Sequence, residues 1–313
     1  MPIYPLSDMD IMQTMSTFLS REVPLLRIAT WNIDSRLEDR SARLRTLIGT
    51  LRTLDLDVVC LQECWAGAET EIANALGMQT ITFYEAEDNS GGFGNAVISR
   101  FPLAPNTTPE HVTLPPNKGE NPKVSTVVAL TLQSPNGRVW RIGSTHLAWG
   151  GVSEGVRLKQ IQEIERLARQ SELSSSVELV QVICGDFNAQ PQSSTLRYIT
   201  GLDADAEGNS TLWVDAWAAR EVAPGYTSTN DNPMSVATAL YVGILNPALI
   251  PNRRIDYILT RDYAYGKPGC PLEVKLLDRP FENQYGSDHY GIVANLWDPP
   301  IVEKKEDKAN GFT

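Results

Sequence analysis

The chain has 313 residues, 42% of them hydrophobic, and a formal net charge of −11 from 27 basic and 38 acidic side chains. This size permits a large buried core in one or two domains, and the lack of any run of eighteen apolar residues argues against a transmembrane helix. The acidic charge argues against long-range attraction to duplex DNA and so disfavours a general nuclease.

The N-terminal segment and the cysteines bear on where the protein works. Residues 1–20 contain Asp8 and Asp10 at positions where a signal peptide carries lysine or arginine. The chain has four cysteines, which are too few for a disulfide scaffold of this length. We therefore expect an unsecreted monomer of the reducing cytoplasm, or of the nucleus in a eukaryotic cell.

Short buried strands alternate with amphipathic helices in the first part of the core. The strands are recognisable as apolar runs that end on polar residues, and the first helix has apolar or small residues close to helical spacing. This alternation indicates an α/β fold. The predicted elements are a strand at 24–32, a helix at 39–54, a strand at 57–63, a helix at 69–76 and strands at 80–84 and 95–99.

The second part begins with two strands, 124–132 and 139–145, joined by a turn sequence that predicts an antiparallel hairpin and hence a mixed sheet. The apolar segment 237–250 is predicted to be core or to cover a sheet edge, with a lid or a lipid-facing patch as the alternative. The remaining predicted elements are a helix at 153–170 and strands at 179–184, 255–260, 272–276 and 290–296.

Nearly every predicted core strand is flanked by polar residues suited to phosphate or metal chemistry. An isolated acid after a strand is usually a solvated edge residue, and Gly-Asp-Phe-Asn alone could be an ordinary turn. However, two of the three histidines in the chain fall within these motifs. In chain order the motifs are Trp31-Asn32, Gln62-Glu63, Thr145-His146, Gly185-Asp186-Phe187-Asn188, Arg254-Ile255-Asp256-Tyr257 and Ser287-Asp288-His289.

This ordered set of motifs resembles the endonuclease/exonuclease/phosphatase superfamily, also called DNase-I-like, across residues 25–297. The resemblance implies a four-layer α/β/β/α sandwich of two mixed, mainly antiparallel sheets flanked by helices. It also implies a hydrolase that cleaves a phosphate ester with the help of magnesium. We accordingly expect a catalytic domain at 25–298, an N-terminal arm at 1–24 and a disordered charged tail at 299–313.

Hydrolysis of a phosphate ester requires charge neutralisation, an in-line water and a stabilised leaving group. Glu63, with Asn32 beside it, offers oxygen ligands, which favour Mg²⁺ over Zn²⁺ and allow Mn²⁺ to substitute. Asp186 can accept a proton from the attacking water, while Asn188 orients that water or the phosphate. Cys60-x3-Cys64 is a rival metal site, but no second cysteine pair completes it.

The two histidines of the motifs are expected to face the phosphate. Asp256 would fix the tautomer of His289 and favour its charged form. By resemblance, His146 stabilises the pentavalent transition state from the other side, and Asp288 lies near the metal. The base is either Asp186 or His289, and we favour Asp186.

The local sequence around the motifs resembles the 5′-tyrosyl-DNA phosphodiesterase branch, whose first motif is similar to Thr30-Trp-Asn-Ile-Asp34. Two departures are Phe187 within Gly-Asp-Phe-Asn and Ser228 where that branch carries tryptophan. Gly-Asp-Phe-Asn is shared with sphingomyelinases, inositol phosphatases and nucleases. The expected substrate is a nucleic-acid end or nucleotide-like diester, with a sphingomyelinase-like or inositol-phosphate esterase as one alternative and a non-catalytic phosphate-binding scaffold as another.

Two further residues are predicted to contact the substrate. Trp149 lies just beyond His146 and could stack on the substrate, although packing beneath its own loop is an equal alternative. Arg254, next to Arg253, is the recognisable cation beside the motifs, and Lys118 and Lys123 are candidates from a loop. So few cations predict a short footprint of one or a few phosphates.

Overall fold

The fold is described from a computed structural model, which defines residues 23–85, 92–116, 125–241, 243–261 and 267–301. The predicted N-terminal arm, apart from its last two residues, and the tail from residue 302 lie outside the described residues. Lys118 and Lys123 also lie outside them, as does the predicted strand start at residue 124. Predictions for these segments stay predictions.

The described residues form twelve strands. Ten of them overlap the strands predicted from hydrophobic patterning. Their ends differ from the predicted ends by a few residues. In chain order they are β1 (Leu25–Asn32), β2 (Val58–Trp65), β3 (Thr80–Glu85), β4 (Phe93–Ser99), β5 (Glu110–Thr113), β6 (Thr126–Gln133), β7 (Val139–His146), β8 (Leu179–Asp186), β9 (Trp213–Asp215), β10 (Asp256–Arg261), β11 (Pro271–Leu277) and β12 (Gly291–Trp297).

The strands form two six-stranded sheets of similar plan. The first has the order β11-β12-β1-β2-β4-β3 and the second has the order β5-β6-β7-β8-β10-β9. Each sheet contains one parallel pair near its centre, β1 with β2 and β7 with β8, and every other pairing is antiparallel. The predicted mixed, mainly antiparallel sheets and the hairpin of β6 and β7 are confirmed.

Helices cover the outer face of each sheet. The bounds of the described helices are α1 (Arg40–Arg52), α2 (Ala68–Leu76), α3 (Glu154–Ser174), α4 (Ser194–Ile199), α5 (Ala216–Arg220) and α6 (Pro233–Tyr241), followed by a 3₁₀ turn at Pro247–Leu249. One apolar cluster fills the space between the two sheets. A second joins α1 and α2 to the first sheet, and a third joins α3 and α4 to the second. These three cores separate four layers, as predicted.

Strand register brings the motif residues to one edge of the sandwich. In the first sheet Asn32, the last residue of β1, pairs with Gln62, so Asn32 lies next to Glu63 on β2. In the second sheet Asp186 lies opposite His146 on one side and Asp256 on the other. The carboxyl ends of the central strands therefore deliver their polar residues to a common edge.

The described elements that hydrophobic patterning missed are β5, β9, α4, α5 and α6, and all of them except α6, which has nine residues, are short. Strands β5 and β9 have four and three residues, and α5 has five, which is too few for a periodic pattern to emerge. The segment predicted as an apolar insertion contains the end of α6 and the 3₁₀ turn. Within the described ranges, no helix has both the length and the apolar character needed to cross a bilayer.

Candidate active site

Asn32 joins the two sheets at the common edge. Its side-chain nitrogen Nδ2 lies 3.1 Å from Glu63 Oε1 of the first sheet and 3.1 Å from Asp186 Oδ2 of the second. Its amide oxygen Oδ1 accepts the backbone N–H of Asp34 at 3.0 Å. The Asn32 amide group therefore donates to both carboxylates and holds them on either side of one nitrogen.

A β-bulge positions Glu63. The register between β2 and β4 shifts after Leu61, and Glu63 adopts a left-handed backbone with φ 49°. Ser35 donates its backbone N–H and its hydroxyl to Glu63 Oε2, at 3.0 and 2.8 Å. Burial alone would raise the pKa of Glu63, but attraction to His146 and the hydrogen bonds from Ser35 outweigh burial and lower this pKa to about 2. Glu63 is therefore a fixed anion at neutral pH.

The Gly-Asp-Phe-Asn turn fixes Asp186. Gly185 has φ 146°, and a Cβ on it would lie 1.9 Å from the carbonyl oxygen of Thr145, so only glycine fits between β7 and β8. Asn188 also has a left-handed backbone, and its N–H donates to Asp186 Oδ1 at 2.8 Å. Burial and repulsion from Asp256 raise the pKa of Asp186. The turn thus presents a carboxylate that accepts a proton more readily than an exposed aspartate does.

His289 and His146 lie on the open side of Asp186. His289 Nε2 is 3.8 Å and His146 Nε2 is 3.6 Å from Asp186 Oδ2. His289 Nδ1 forms a 2.9 Å hydrogen bond with Asp256 Oδ2. Burial disfavours the imidazolium, but Asp256, together with the charge of Asp186, raises the pKa of His289 well above its usual range. His289 is therefore positively charged and oriented at neutral pH.

Asp288 lies on the same side of the site as Glu63. Thr238 of α6 donates its hydroxyl to Asp288 Oδ2 at 2.8 Å. Burial, with repulsion from Asp34 and Glu63, raises the pKa of Asp288 to about 6. The carboxylates of Asp34, Glu63 and Asp288 therefore repel one another at this part of the site. Asp288 is also bound to α6, a helix that hydrophobic patterning did not identify.

Two groups of side chains could hold a cation. Asp186, Asp256 and His289 offer ligand atoms that all lie within 4.8 Å of one another. In that group, however, Asp256 and the charged His289 already satisfy each other through their hydrogen bond. Glu63 and Asp288 repel each other electrostatically and offer only oxygen ligands, the type that a hard cation prefers.

Comparison with known proteins agrees with this geometry. The model of the endonuclease/exonuclease/phosphatase family matches residues 29–289. The chain belongs to this family. The superfamily predicted from the ordered motifs is therefore confirmed. Members of the family are hydrolytic enzymes.

Individual relatives within the endonuclease/exonuclease/phosphatase family differ in what they act on. The chain is 27% identical over 308 residues to inositol phosphosphingolipids phospholipase C from Schizosaccharomyces pombe, covering 90% of this chain and 70% of that protein. D. rerio TDP2 complexed with a single-strand DNA product aligns with TM-score 0.63 and 19% identity, covering 87% of this chain and 98% of that one. The human Nocturnin catalytic domain with bound sulfate aligns with TM-score 0.60 and 20% identity, covering 88% and 95%. Both structures share the fold of this family.

Some residues that support the site were missed in the sequence. Ser35 binds Glu63, Thr238 binds Asp288, and Ser287 donates its hydroxyl to the carbonyl of Asn32 at 2.6 Å. Ser287 belongs to the motif Ser287-Asp288-His289 but was given no role in it, and Ser35 directly follows the motif Thr30-Trp-Asn-Ile-Asp34, which was an available signal. Thr238 lies fifty residues from Asp288, so its contact could not be predicted from spacing.

The two predicted substrate contacts have opposite environments. Trp149 is 67% exposed, which favours a contact role over packing beneath its loop. Arg254 is buried, forms an ion pair with Asp215 and stacks over Tyr257 with its Cζ 4.9 Å from the ring centroid. The structure therefore does not bring the Arg254 guanidinium to the surface of the site, because the buried carboxylate of Asp215 holds it inside.

Replacing Arg254 with alanine should destabilise the fold, because Asp215 would be left as an unpaired buried charge. We expect a loss of about 3–5 kcal/mol in the free energy of unfolding, measured by urea denaturation. Arg279→Ala is the matched control, since its side chain is 93% exposed, and should change stability by less than about 0.5 kcal/mol. Equal stability of the two variants would contradict a structural role for Arg254.

Proposed function

We propose that the chain is a metal-dependent phosphodiesterase that hydrolyses one phosphate ester between Glu63, Asp186 and His289. The contact that carries this proposal is the Asn32 amide, which donates to both Glu63 and Asp186. It sets a cation-binding carboxylate beside a proton-accepting one. His146 and His289 lie 3.6 and 3.8 Å from Asp186, so imidazole groups and carboxylates face the same part of the site.

Glu63 and Asp288 are the residues that would hold the metal. Their carboxylates and that of Asp34 interact repulsively, and a hard cation would relieve this repulsion. We propose Mg²⁺, with Mn²⁺ able to substitute, since the available ligands are oxygens. Asn32 supports this site through its hydrogen bond to Glu63. The ion would supply positive charge to neutralise the phosphate.

Asp186 is proposed as the base that accepts a proton from the attacking water. Its raised pKa brings it nearer the operating pH, where a general base is most effective. His289 is less suited to this role, because its pairing with Asp256 keeps it protonated. We assign His289 and His146 to stabilising charge on the phosphate, and Asn188 to orienting water or phosphate.

The substrate is proposed to be a diester gripped through a single phosphate. Arg254, the cation expected at the site, is buried in an ion pair, which supports a short footprint. A lipid phosphodiester comes first among the candidates, because the sequence relative matched across 90% of this chain is a phospholipase C. A nucleic-acid end comes second, supported by the exposed Trp149, on which a base could stack.

A substrate panel tests the proposal directly. Wild-type protein would be assayed with bis-p-nitrophenyl phosphate, 5′-phosphotyrosyl DNA and detergent-dispersed inositol phosphosphingolipid, each with Mg²⁺ and with excess EDTA. We expect Mg²⁺-dependent release from the small diester and the highest kcat/KM on the lipid. A chain that hydrolyses none of these in Mg²⁺ or Mn²⁺ would instead support the non-catalytic scaffold.

Salt dependence offers an independent check of the short footprint. A protein that contacts six to ten DNA phosphates loses about 10³–10⁵ in affinity between 50 and 200 mM salt. We expect kcat/KM of this chain to fall by less than about tenfold over that range, because Arg254, the cation predicted at the site, is buried in an ion pair with Asp215. Steep salt dependence together with internal nicking of plasmid DNA would restore the general-nuclease interpretation.

A further inference from the structure

Exposed apolar side chains cluster in the segments that border the site. Trp149 and Val152 lie in the loop after β7, and Val152 is 100% exposed. We call the following set the apolar rim: Leu37, Trp149, Val152, Leu240, Leu245 and Leu249. Single exposed apolar residues are ordinary, but several in segments around one site mark an interaction surface.

The loop that carries Trp149 is held rigidly against the site. Leu147 donates its N–H to the carbonyl of Asp186 at 2.9 Å and accepts a hydrogen bond from the Asn188 side chain at 3.1 Å. Buried Arg157 donates to the carbonyls of Ala148 and Gly150, at 2.9 and 2.8 Å. The exposure of Trp149 is therefore fixed by neighbouring structure.

The other members of the apolar rim are attached to the metal side of the site. Leu37 follows Ser35 by two residues, and Ser35 binds Glu63. Leu240 belongs to α6, whose Thr238 binds Asp288, and the chain continues from this helix to Leu245 and Leu249. Leu37 and Leu240 thus lie close in sequence to residues that bind Glu63 and Asp288, while Trp149 and Val152 belong to the loop that is hydrogen-bonded to Asp186.

We propose that the apolar rim docks on the surface of a lipid bilayer and so brings a headgroup phosphodiester to Glu63 and Asp186. This inference rests on the proposed function in its lipid form. Stacking of a nucleic-acid base would explain Trp149, but it gives no reason for the aliphatic Val152, Leu245 and Leu249 to be exposed. Because the chain carries a net charge of −11, a mainly zwitterionic bilayer in which an anionic phosphosphingolipid is a minor component suits it better than a strongly anionic one.

The test uses full-length Asp186→Asn protein, so that vesicles stay intact whether or not the wild type is an enzyme. Cosedimentation with phosphatidylcholine vesicles should show partitioning, and addition of Val152→Glu should reduce the partition coefficient at least tenfold. Leu173→Glu is the matched control, because Leu173 is 88% exposed near the far end of α3. The 21-residue helix places it about 30 Å from the loop that carries Val152. This control should partition normally.

A second readout does not depend on Val152. Trp149 is the one exposed tryptophan among the seven in the chain, all of which are described. Brominated phosphatidylcholine should quench part of the fluorescence, and Trp149→Phe should abolish that quenching. Leu245→Glu should lower partitioning as Val152→Glu does, which guards against a folding defect in one variant.

The outcomes separate docking from catalysis. Vesicle binding by a chain whose wild type hydrolyses neither the soluble diesters nor the dispersed inositol phosphosphingolipid would support docking and refute the proposed function. Mg²⁺-dependent hydrolysis without vesicle binding, or equal loss of binding in the rim and Leu173 variants, would overturn docking. Loss of oligonucleotide binding in Val152→Glu, with no partitioning into vesicles, would assign the apolar rim to nucleic acid instead.

Discussion

Asp186→Asn should lower kcat by roughly two to four powers of ten while leaving KM for bis-p-nitrophenyl phosphate nearly unchanged. The amide keeps the size of the side chain and an oxygen that can accept the N–H of Asn188, but it cannot accept a proton from water. Steady-state kinetics at saturating Mg²⁺ measure the effect. The loss should therefore appear in turnover and not in binding.

Asp55→Asn is the matched control, since it makes the same chemical change on an exposed carboxylate that pairs with Arg27 and Arg100. Its kcat should equal that of the wild type. If Asp186→Asn kept near wild-type turnover, Asp186 would not be the base, and the assignment would pass to His289. A double variant that also carried His289→Ala would then have to lose the remaining activity.

Glu63→Gln should raise the Mg²⁺ concentration needed for half-maximal activity by at least about 100-fold, the upper end of what supporting residues around a metal cost. Glutamine preserves the shape of the side chain and removes the anionic charge that attracts the ion. Calorimetric titration with Mg²⁺ provides a readout that does not depend on turnover. High Mg²⁺ should partly restore hydrolysis.

Ser35→Ala should weaken metal binding less than Glu63→Gln does. It leaves the Glu63 carboxylate in place but removes the 2.8 Å hydroxyl hydrogen bond that orients it, so it should cost about 10–100-fold in metal affinity. Undiminished wild-type activity in excess EDTA would end the metal assignment. Unchanged Mg²⁺ affinity in Glu63→Gln would move the ion to another group of ligands.

Hydrophobic patterning predicted the long strands because buried strands impose apolar runs that stop where the chain turns, whereas the four layers were predicted from the resemblance to the superfamily. Hydrophobic patterning predicted less well which residues are buried where tertiary contacts determine the burial. Apolar periodicity predicts that apolar side chains form the inner face of α3, yet Arg157, Gln160 and Glu165 are among its buried residues. Each has hydrogen-bond partners outside the helix, such as Ala148 for Gln160 and Trp213 for Glu165. Periodicity cannot reveal such partners.

The same limit explains the different outcomes for the site residues. Residues at strand ends converge because pairing register brings them together, so Glu63, Asp186 and His146 were found from their positions. Arg254 has an equally suggestive position beside Asp256. The burial of Arg254 depends on β9, a three-residue strand that places Asp215 beside it. Such a contact leaves no trace in local sequence.

The bridging amide of Asn32 has a consequence for how the protein can lose activity. One sheet supplies Glu63, the other supplies Asp186, and neither sheet contains a complete set of reacting groups. In the proposed mechanism, catalysis therefore depends on the alignment of the two sheets, which apolar packing between them maintains. A substitution in that interior, for example at Ile142 or Cys184, could separate the two carboxylates without touching either. The rate of hydrolysis would then fall while the hydrogen bonds within each sheet stayed intact. The hydrolytic rate would therefore report on the relative position of the two sheets.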